Sequence, residues 1–384
     1  MSSSQYRSIY PVTQRDSYDP NTNVDFVLNL NQEKLVPGTI YLQGECQVYS
    51  DGITVMTNDK DLYYDGLAGY HGVIRDIQTE FKQLGVVESI QNYPRLVKMK
   101  ALALSDEDAL GCQADMAVEG RVPSEQMAKG YLQGSAQTGY VPFSLKVDNV
   151  LNNCSAPVSS SATGQIRLRF RIAPSNEFLF GEQWNAGAPS FVLRNLKLHF
   201  QAIPDDGQMA PVQMVIYSTY RGVVESTNQN LSTFVPGPCS AVHMSFLDVE
   251  KENDEQYNFL ACAPPPGKPP LGDNTSTFDS YGFERVQYAI NDTDTALTGF
   301  TIESREEILK NGLRSFDMST KKYNSSIQKM MKVENPDGYL AGIAFGNPIN
   351  LQNNKFAVEL QSQVQSPNYY AAYFYFRMPQ IVQA

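Results

Sequence analysis

The chain is poor in histidine, tryptophan and charge. Of its 384 residues three are histidine, one is tryptophan, and only 18% are Asp, Glu, Lys or Arg. None of His71, His199 and His243 lies beside a cysteine, a carboxylate or a second histidine at metal-ligand spacing, so each reads as structural. The patterns G-x-S-x-G, H-E-x-x-H, G-x-x-x-x-G-K-[ST] and G-x-G-x-x-G are missing. Gly267-Lys268 follows three prolines rather than a strand and lacks a glycine-rich phosphate cradle. No residue is expected to be catalytic, cofactor-binding or metal-binding, and the chain is not expected to be an enzyme.

Positive charge is also scarce. Thirty Lys and Arg face 41 Asp and Glu, a net charge of −11, which argues against a general nucleic-acid binder, since that needs a basic footprint to displace counterions. The one candidate polyanion or membrane contact is the run Lys310, Arg314, Lys321, Lys322, Lys329 and Lys332, with acids interspersed. No apolar stretch reaches the roughly 18 residues of a spanning helix, and residues 1–30 are too polar for a secretory signal. Cysteine is sparse: Cys46, Cys112, Cys154, Cys239 and Cys262 are odd in number and never form a CxxC pair, which suits free thiols in a reducing compartment. In that setting the glycosylation triplets at Asn153, Asn230 and Asn291 read as chance. The stretch Asn291-Asp292-Thr293-Asp294-Thr295 spaces its carboxylates as calcium loops do. It lacks their glycine and distal glutamate, and reads as a hairpin turn.

Aromatics and turn formers are abundant, with 22 Tyr, 19 Phe, 26 Gly and 22 Pro, the profile of a β protein with long polar loops. Gln165–Ile172 alternates apolar and polar residues without a slip and closes on Pro174; the last strand, Ala371–Met378, closes on Pro379. About 200 residues separate them, the spacing of two consecutive β domains. Arg167, Arg169 and Arg171 share one face, which should pack against acidic loops or a neighbouring subunit. Further strands are expected at Val24–Leu30, Gly38–Tyr49, Gly72–Phe81, Val141–Val147, Phe191–Phe200, Val212–Tyr220, Ser240–Val249, Phe283–Ile290, Gly342–Ala344 and Phe356–Gln361. Pro94 suits a first helical turn, with Leu96, Met99 and Ala103 as its apolar stripe, and Thr301–Phe316 repeats the helical pattern with Ile302, Ile308, Leu309, Leu313 and Phe316. Residues 105–140, the proline-rich Pro264–Pro270 and 317–340 read as loops. Together these give an all-β fold of two tandem eight-stranded jelly rolls with short inserted helices and long loops. Residues 1–22 would be an N-terminal arm, 23–185 the first jelly roll and 186–384 the second, joined near Trp184–Pro189.

Particular residues carry a family likeness. Tyr70-His71-Gly72-Val73-Ile74-Arg75-Asp76-Ile77, followed by Val87-Glu88-Ser89-Ile90-Gln91-Asn92-Tyr93-Pro94-Arg95-Leu96, resembles the first domain of double jelly-roll major capsid proteins. Phe283–Ile290 is similar to the strand before that family's second helix, Gly139–Pro174 to the last strands of its first jelly roll, and Phe191–Phe200 to the opening of its second. The likeness covers about three quarters of the chain and is strongest to members from polinton-like elements, adintoviruses and virophages, within the lineage that includes the adenovirus hexon. Pro264–Pro270 has no counterpart in the family pattern. The resemblance implies a homotrimer forming a pseudo-hexagonal capsomer of an icosahedral virion, without cofactors or specific nucleic-acid binding. Its partners would be neighbouring capsomers, penton or vertex proteins, minor or cement proteins, and an internal membrane where the virus has one. The rival readings are a jelly-roll carbohydrate-binding module or glycosidase, and a minor vertex or spike protein.

Overall fold

A computed structural model describes residues 4–56, 62–65, 68–103, 131–133, 140–180, 187–207, 211–235, 237–249, 252–253, 283–290, 305–316, 340–351, 354–362 and 370–383. Trp184, the loop Pro264–Pro270, the turn Asn291–Thr295, Cys112, Cys262 and the four C-terminal lysines of the basic run lie outside these residues, as do nearly all of 105–140 and 317–340.

Strands dominate. The largest sheet runs in the order β17 (Leu340–Asn350), β15 (Pro238–Asp248), β19 (Tyr370–Gln383), β13 (Pro211–Val224), β7 (Gly85–Ile90), β6 (Ile74–Phe81), β11 (Ile166–Ile172) and β2 (Asn23–Leu28). It repeats one plan twice. Within residues 23–172 the first strand, β2, pairs with the last, β11, which pairs with β6 and then β7; within 211–383, β13 pairs with β19, then β15, then β17. The two strands singled out by their patterning therefore hold equivalent places.

The alternation of β11 explains its position. Ile166, Leu168, Phe170 and Ile172 are all fully buried, and Phe170 meets Phe26 of β2 edge-on at 5.9 Å. On the other face Arg167 and Arg169 both reach Asp25 of β2 at 2.7 Å, and Arg171 approaches Asp76 of β6 at 3.7 Å. The arginines are matched by acids on the adjacent strands, not by loops. At its own end β19 passes through Pro379 to Gln383. The pairing of β15 stops at Arg377, so Pro379 sits where the strand is an edge and a missing N–H breaks no rung.

A second sheet covers the first half: β10 (Val158–Ser159), β3 (Glu33–Leu35), β12 (Ser190–Pro204), β4 (Tyr41–Tyr49) and β9 (Val141–Lys146), with β1 (Gln5–Ile9) added to β12. A three-stranded sheet, β14 (Asn228–Phe234), β18 (Lys355–Ser362) and β16 (Phe283–Ile290), covers the second; a short pair joins β5 (Tyr63–Asp65) to β8 (Tyr131–Gln133). Tyr70 stacks on Phe143 of β9 at 5.2 Å on one side of the molecule, and Phe356 of β18 meets Phe376 of β19 at 5.6 Å on the other. The first seats the 3-10 turn Gly69–Val73 on β9, and the second is a contact between facing sheets of a sandwich core.

Two expectations need correction. Residues 4–22, expected as an arm rather than a core element, join the sandwich: β1 pairs with β12, Tyr18 is buried and bridges Leu193, and the Val12 N–H donates to the Asp25 carbonyl. Phe191–Phe200, expected to open the second jelly roll, is paired into the first-half sheet with β4 and β1, and β3 pairs with the same strand further on, at Ala202–Pro204. A bulge between Arg194 and Lys197 explains why its pattern misleads. Asn195 adopts a left-handed φ of 54°, and the buried set switches from Phe191 and Leu193 to Leu196, Leu198, Phe200 and Ala202.

Two helices of more than two turns are described, α1 (Tyr93–Ala103) and α2 (Arg305–Arg314). Leu96, Met99 and Ala103 are buried on α1 as their spacing predicts, and Ile308 and Leu313 are buried on α2.

Candidate functional site: the seam between the halves

The halves of the large sheet meet where β7 runs parallel to β13, and the only registered pair is Ser89 with Ser218. A side chain supplies what the ladder lacks. Glu88 of β7 is buried; one carboxylate oxygen accepts from the Tyr217 N–H of β13 at 3.1 Å, and the other from the Val150 N–H at 2.8 Å and the Thr79 hydroxyl at 3.3 Å. Burial pushes this carboxyl up to about 8, against the pull of the two backbone donors.

Helix α1 lies over the same joint. The Tyr93 hydroxyl accepts from the Asp148 N–H at 3.0 Å and shares a 2.9 Å hydrogen bond with Nδ1 of His71. Lys100 pairs with Asp148, and its ammonium sits 4.4 Å from the centre of the Tyr217 ring. Burial opposes the charge on Lys100, yet Asp148 and Tyr217 hold its pKa above the usual lysine range. His71 is driven the other way, down to about 4, by burial that Asp148 only partly offsets. Arg95, on the first turn of α1, is buried and donates to Ser245 Oγ of β15 at 2.6 Å. One helix of the first half thus contacts two strands of the second.

Beside α1 a cavity of about 270 Å³ opens at the end of the large sheet. Its walls bring Arg75 of β6, Arg171 of β11, Arg221 of β13 and Tyr373 of β19 to one place. Arg221 forms a fork with Glu252 at 3.0 and 2.7 Å, and Arg75 lies 3.2 Å from Glu177. Burial raises the carboxyls of Asp76 and Glu177, the latter up to about 7, in spite of these arginines.

Of the residues flagged in the sequence, His71 lies at the seam and Arg171 lines the cavity; the other histidines, the cysteines and the basic run do not converge here. His71 lies in a 3-10 turn, Gly69–Val73, rather than at the start of a strand. His199 sits within β12 between Ser8 and Gln43, and His243 stacks on Phe316 at 3.7 Å with Nδ1 2.7 Å from the Ser315 hydroxyl. Among the described residues no group of three or more His, Cys, Asp or Glu could hold a metal ion, and no helix is long and apolar enough to cross a membrane. Cys46, Cys154 and Cys239 are free thiols, and Lys310 and Arg314 are exposed on α2. Arg75, Glu88 and Arg95 stand in the passages that carry the family likeness, and Arg171 on the patterned strand, but no spacing in the sequence shows that they meet one another or Arg221, because their elements are far apart in the chain.

No family model and no curated protein sequence matches this chain. Solved structures do, over its whole length, and they give the fold as the double jelly roll of viral coat proteins. The Faustovirus major capsid protein overlays 100% of this chain with 91% of its own, at a TM-score of 0.64 and 10% identity. VP54 of PBCV-1 overlays 99% with 94% of its own (TM-score 0.61, 10% identity), and a chain of the Sputnik virophage 99% with 86% (TM-score 0.57, 8% identity).

Proposed function

We propose that this chain is a major capsid protein, a structural component of an icosahedral double-stranded DNA virus with no catalytic role. The observation that carries the reading is the end-to-end overlay on the Faustovirus major capsid protein, in which both halves of the repeated plan find counterparts. The physical character of the molecule supports it. A shell tile needs rigid sandwiches and broad contacts between subunits, and the described core is one continuous apolar cluster spanning both halves. On this reading the division between the jelly rolls lies between β12 and β13, which is supported by the partners of β12 among the described residues, all of them strands of the first half.

Three chains would form a pseudo-hexagonal capsomer, and capsomers would contact one another, vertex proteins, minor or cement proteins and an internal membrane where one exists. The acidic bulk of the chain leaves packaged DNA to basic partners or to the run beginning at Lys310.

Light scattering on a sizing column, followed by electron microscopy, tests this. The expected species has three times the 42.8 kDa of one chain and assembles into hexagonally tiled shells. A monomer that hydrolyses a saccharide would overturn the reading.

A further inference from the structure

The edge of a sheet presents unpaired N–H and C=O groups that recruit strands of other chains, and proteins commonly blunt such edges with charge, proline, bulges or short strands. Most edges of this molecule are blunted in these ways. Strand β9 carries Pro142 and Lys146, β1 carries Arg7, and β10 is only two residues long. Strand β17 carries Pro348 and breaks register between Ala344 and Ile349, and β16 breaks register beside Arg285. At the edge strand β2 the Val12 N–H reaches the Asp25 carbonyl.

Strand β14 has none of these devices. Its seven residues, Asn-Gln-Asn-Leu-Ser-Thr-Phe, include no charge, no proline and no glycine, and all seven pair with β18 without a shift in register. Among the described residues β18 is its only strand partner, and no other backbone group bonds to its main chain. The hydroxyls of Ser226 and Thr233 reach only the carbonyls at its two ends, those of Asn228 and Phe234. Alternate residues of such a strand turn N–H and C=O away from the ladder, so a row of both is left open. Asn228, Asn230 and Phe234 are exposed, Phe234 at 70%, while Leu231 is buried.

The run is also complementary to itself. In an antiparallel pair of two copies centred on Leu231, Asn230 of each copy faces Ser232 of the other, and Gln229 faces Thr233. Each amide thus meets a hydroxyl, and no like charges meet across the pair. Asn228 faces Phe234, which covers an aromatic ring that the single chain leaves in water.

We propose that β14 docks a second copy of this chain through its open edge, β14 against β14 about a two-fold axis, so that each three-stranded sheet continues into the other. The proposal rests on the self-association read above. A two-fold contact is not part of a three-fold capsomer, so this edge would join one capsomer to the next. Seven residues make a weak contact alone, and repetition over a shell multiplies it.

A charge swap on the exposed face of β14 in the full-length protein tests this. In Asn230→Lys/Ser232→Lys, and likewise in Asn230→Glu/Ser232→Glu, like charges lie directly opposite each other across the pair. Light scattering over a concentration series should show each variant self-associating through this contact about tenfold more weakly than wild type. An equimolar mixture of the two should regain it, because every opposed pair then has opposite signs. Rescue by mixing separates a lost contact from damage to the fold. In a second measurement, Asn230→Cys/Ser232→Cys should oxidise to a linked pair whose disulfides map from 230 of one copy to 232 of the other, on a background of wild-type protein without such links. Homotypic variants that associate like wild type, a mixture no better than either variant alone, or links that do not map to this register would overturn the proposal. The two readings also fail separately. Trimers and shells formed equally by wild type and every variant would reject the β14 contact and keep the capsid reading. A two-fold pair lost in the homotypic variants, in a protein that forms no trimer, would do the reverse.

Discussion

Truncating Glu88 to alanine strands the N–H groups of Val150 and Tyr217 where solvent does not reach. Each buried donor left without an acceptor costs about 1–3 kcal/mol, so Glu88→Ala should lower unfolding stability by about 2–5 kcal/mol in urea titrations. Glu88→Gln keeps one acceptor oxygen and should lose less. The same residue sets a pH slope. Its folded pKa of about 8 lies above the unfolded value near 4.5, so the unfolded chain ionises first and this carboxyl withdraws stability as pH rises from about 4.5 to 8. His71, lowered to about 4, and His243, lowered well below its usual value by burial, act oppositely, and their stability is lost as pH falls below about 6.5. Between pH 6.5 and 8 Glu88 is opposed by neither histidine. The wild-type urea midpoint should fall across that interval, and Glu88→Gln should flatten the fall; an unchanged slope in the variant would contradict the assignment. Glu88 stands in the passage that carries the family likeness, but nothing in the sequence shows what it bonds to. It lies at an inward-facing strand position, and its partners are backbone groups 62 and 129 residues away.

Among the elements, β11 shows which of its two faces holds it in place. Phe170 is fully buried between β2 and β6, and its replacement by alanine should cost about 3–5 kcal/mol. The arginine face is more conspicuous in sequence and contributes less: Arg167 and Arg169 are 44% and 40% exposed, and Asp25→Asn should cost about 1 kcal/mol or less. Chemical denaturation of the two variants, side by side, checks the ranking. Legibility follows the same logic. Elements with one buried face, such as β11 and β16, could be read from alternation, β19 from an apolar run buried on both faces, and α1 from its stripe of Leu96, Met99 and Ala103. Strand β14 could not, because only Leu231 of its Asn-Gln-Asn-Leu-Ser-Thr-Phe run is buried. Strand β1 buries none of its side chains, and β12 changes its inward set at the Asn195 bulge. A period holds only while register holds.

On the scale of the whole molecule the duplication was visible in sequence, but the way the copies join was not. The joint depends on which strand edges meet, and a single chain's hydrophobic pattern says nothing about edges. The N-terminal segment illustrates a related point. Strand β1 covers the Leu198–Ala202 stretch of β12 opposite β4 and β3, so it closes an edge while adding little core. Deleting residues 1–10 should leave unfolding stability within about 1–2 kcal/mol while uncovering that edge. Light scattering should then show heterogeneous, edge-to-edge association in place of one defined species; a truncated protein of unchanged size distribution would argue that β1 guards nothing.

The single Ser89–Ser218 rung has a mechanical meaning. Strands β13 and β19 are bonded without a break from Pro211–Gln383 to Val224–Tyr370, so this pair resists bending as a plate does. Between the halves the regular ladder shrinks to that rung and to a bridge of Cys154 with Met214, where the Ser155 N–H donates to the Gln213 carbonyl and the Val215 N–H to that of Asn153; the side chains of Glu88, Arg95 and Lys100 make the rest of the joint. The backbone bonding of the large sheet is thinnest along that line. In the coat proposed above, small changes of dihedral angle at that line would accommodate the differences in curvature between flat facets and their folded boundaries and leave both cores undistorted.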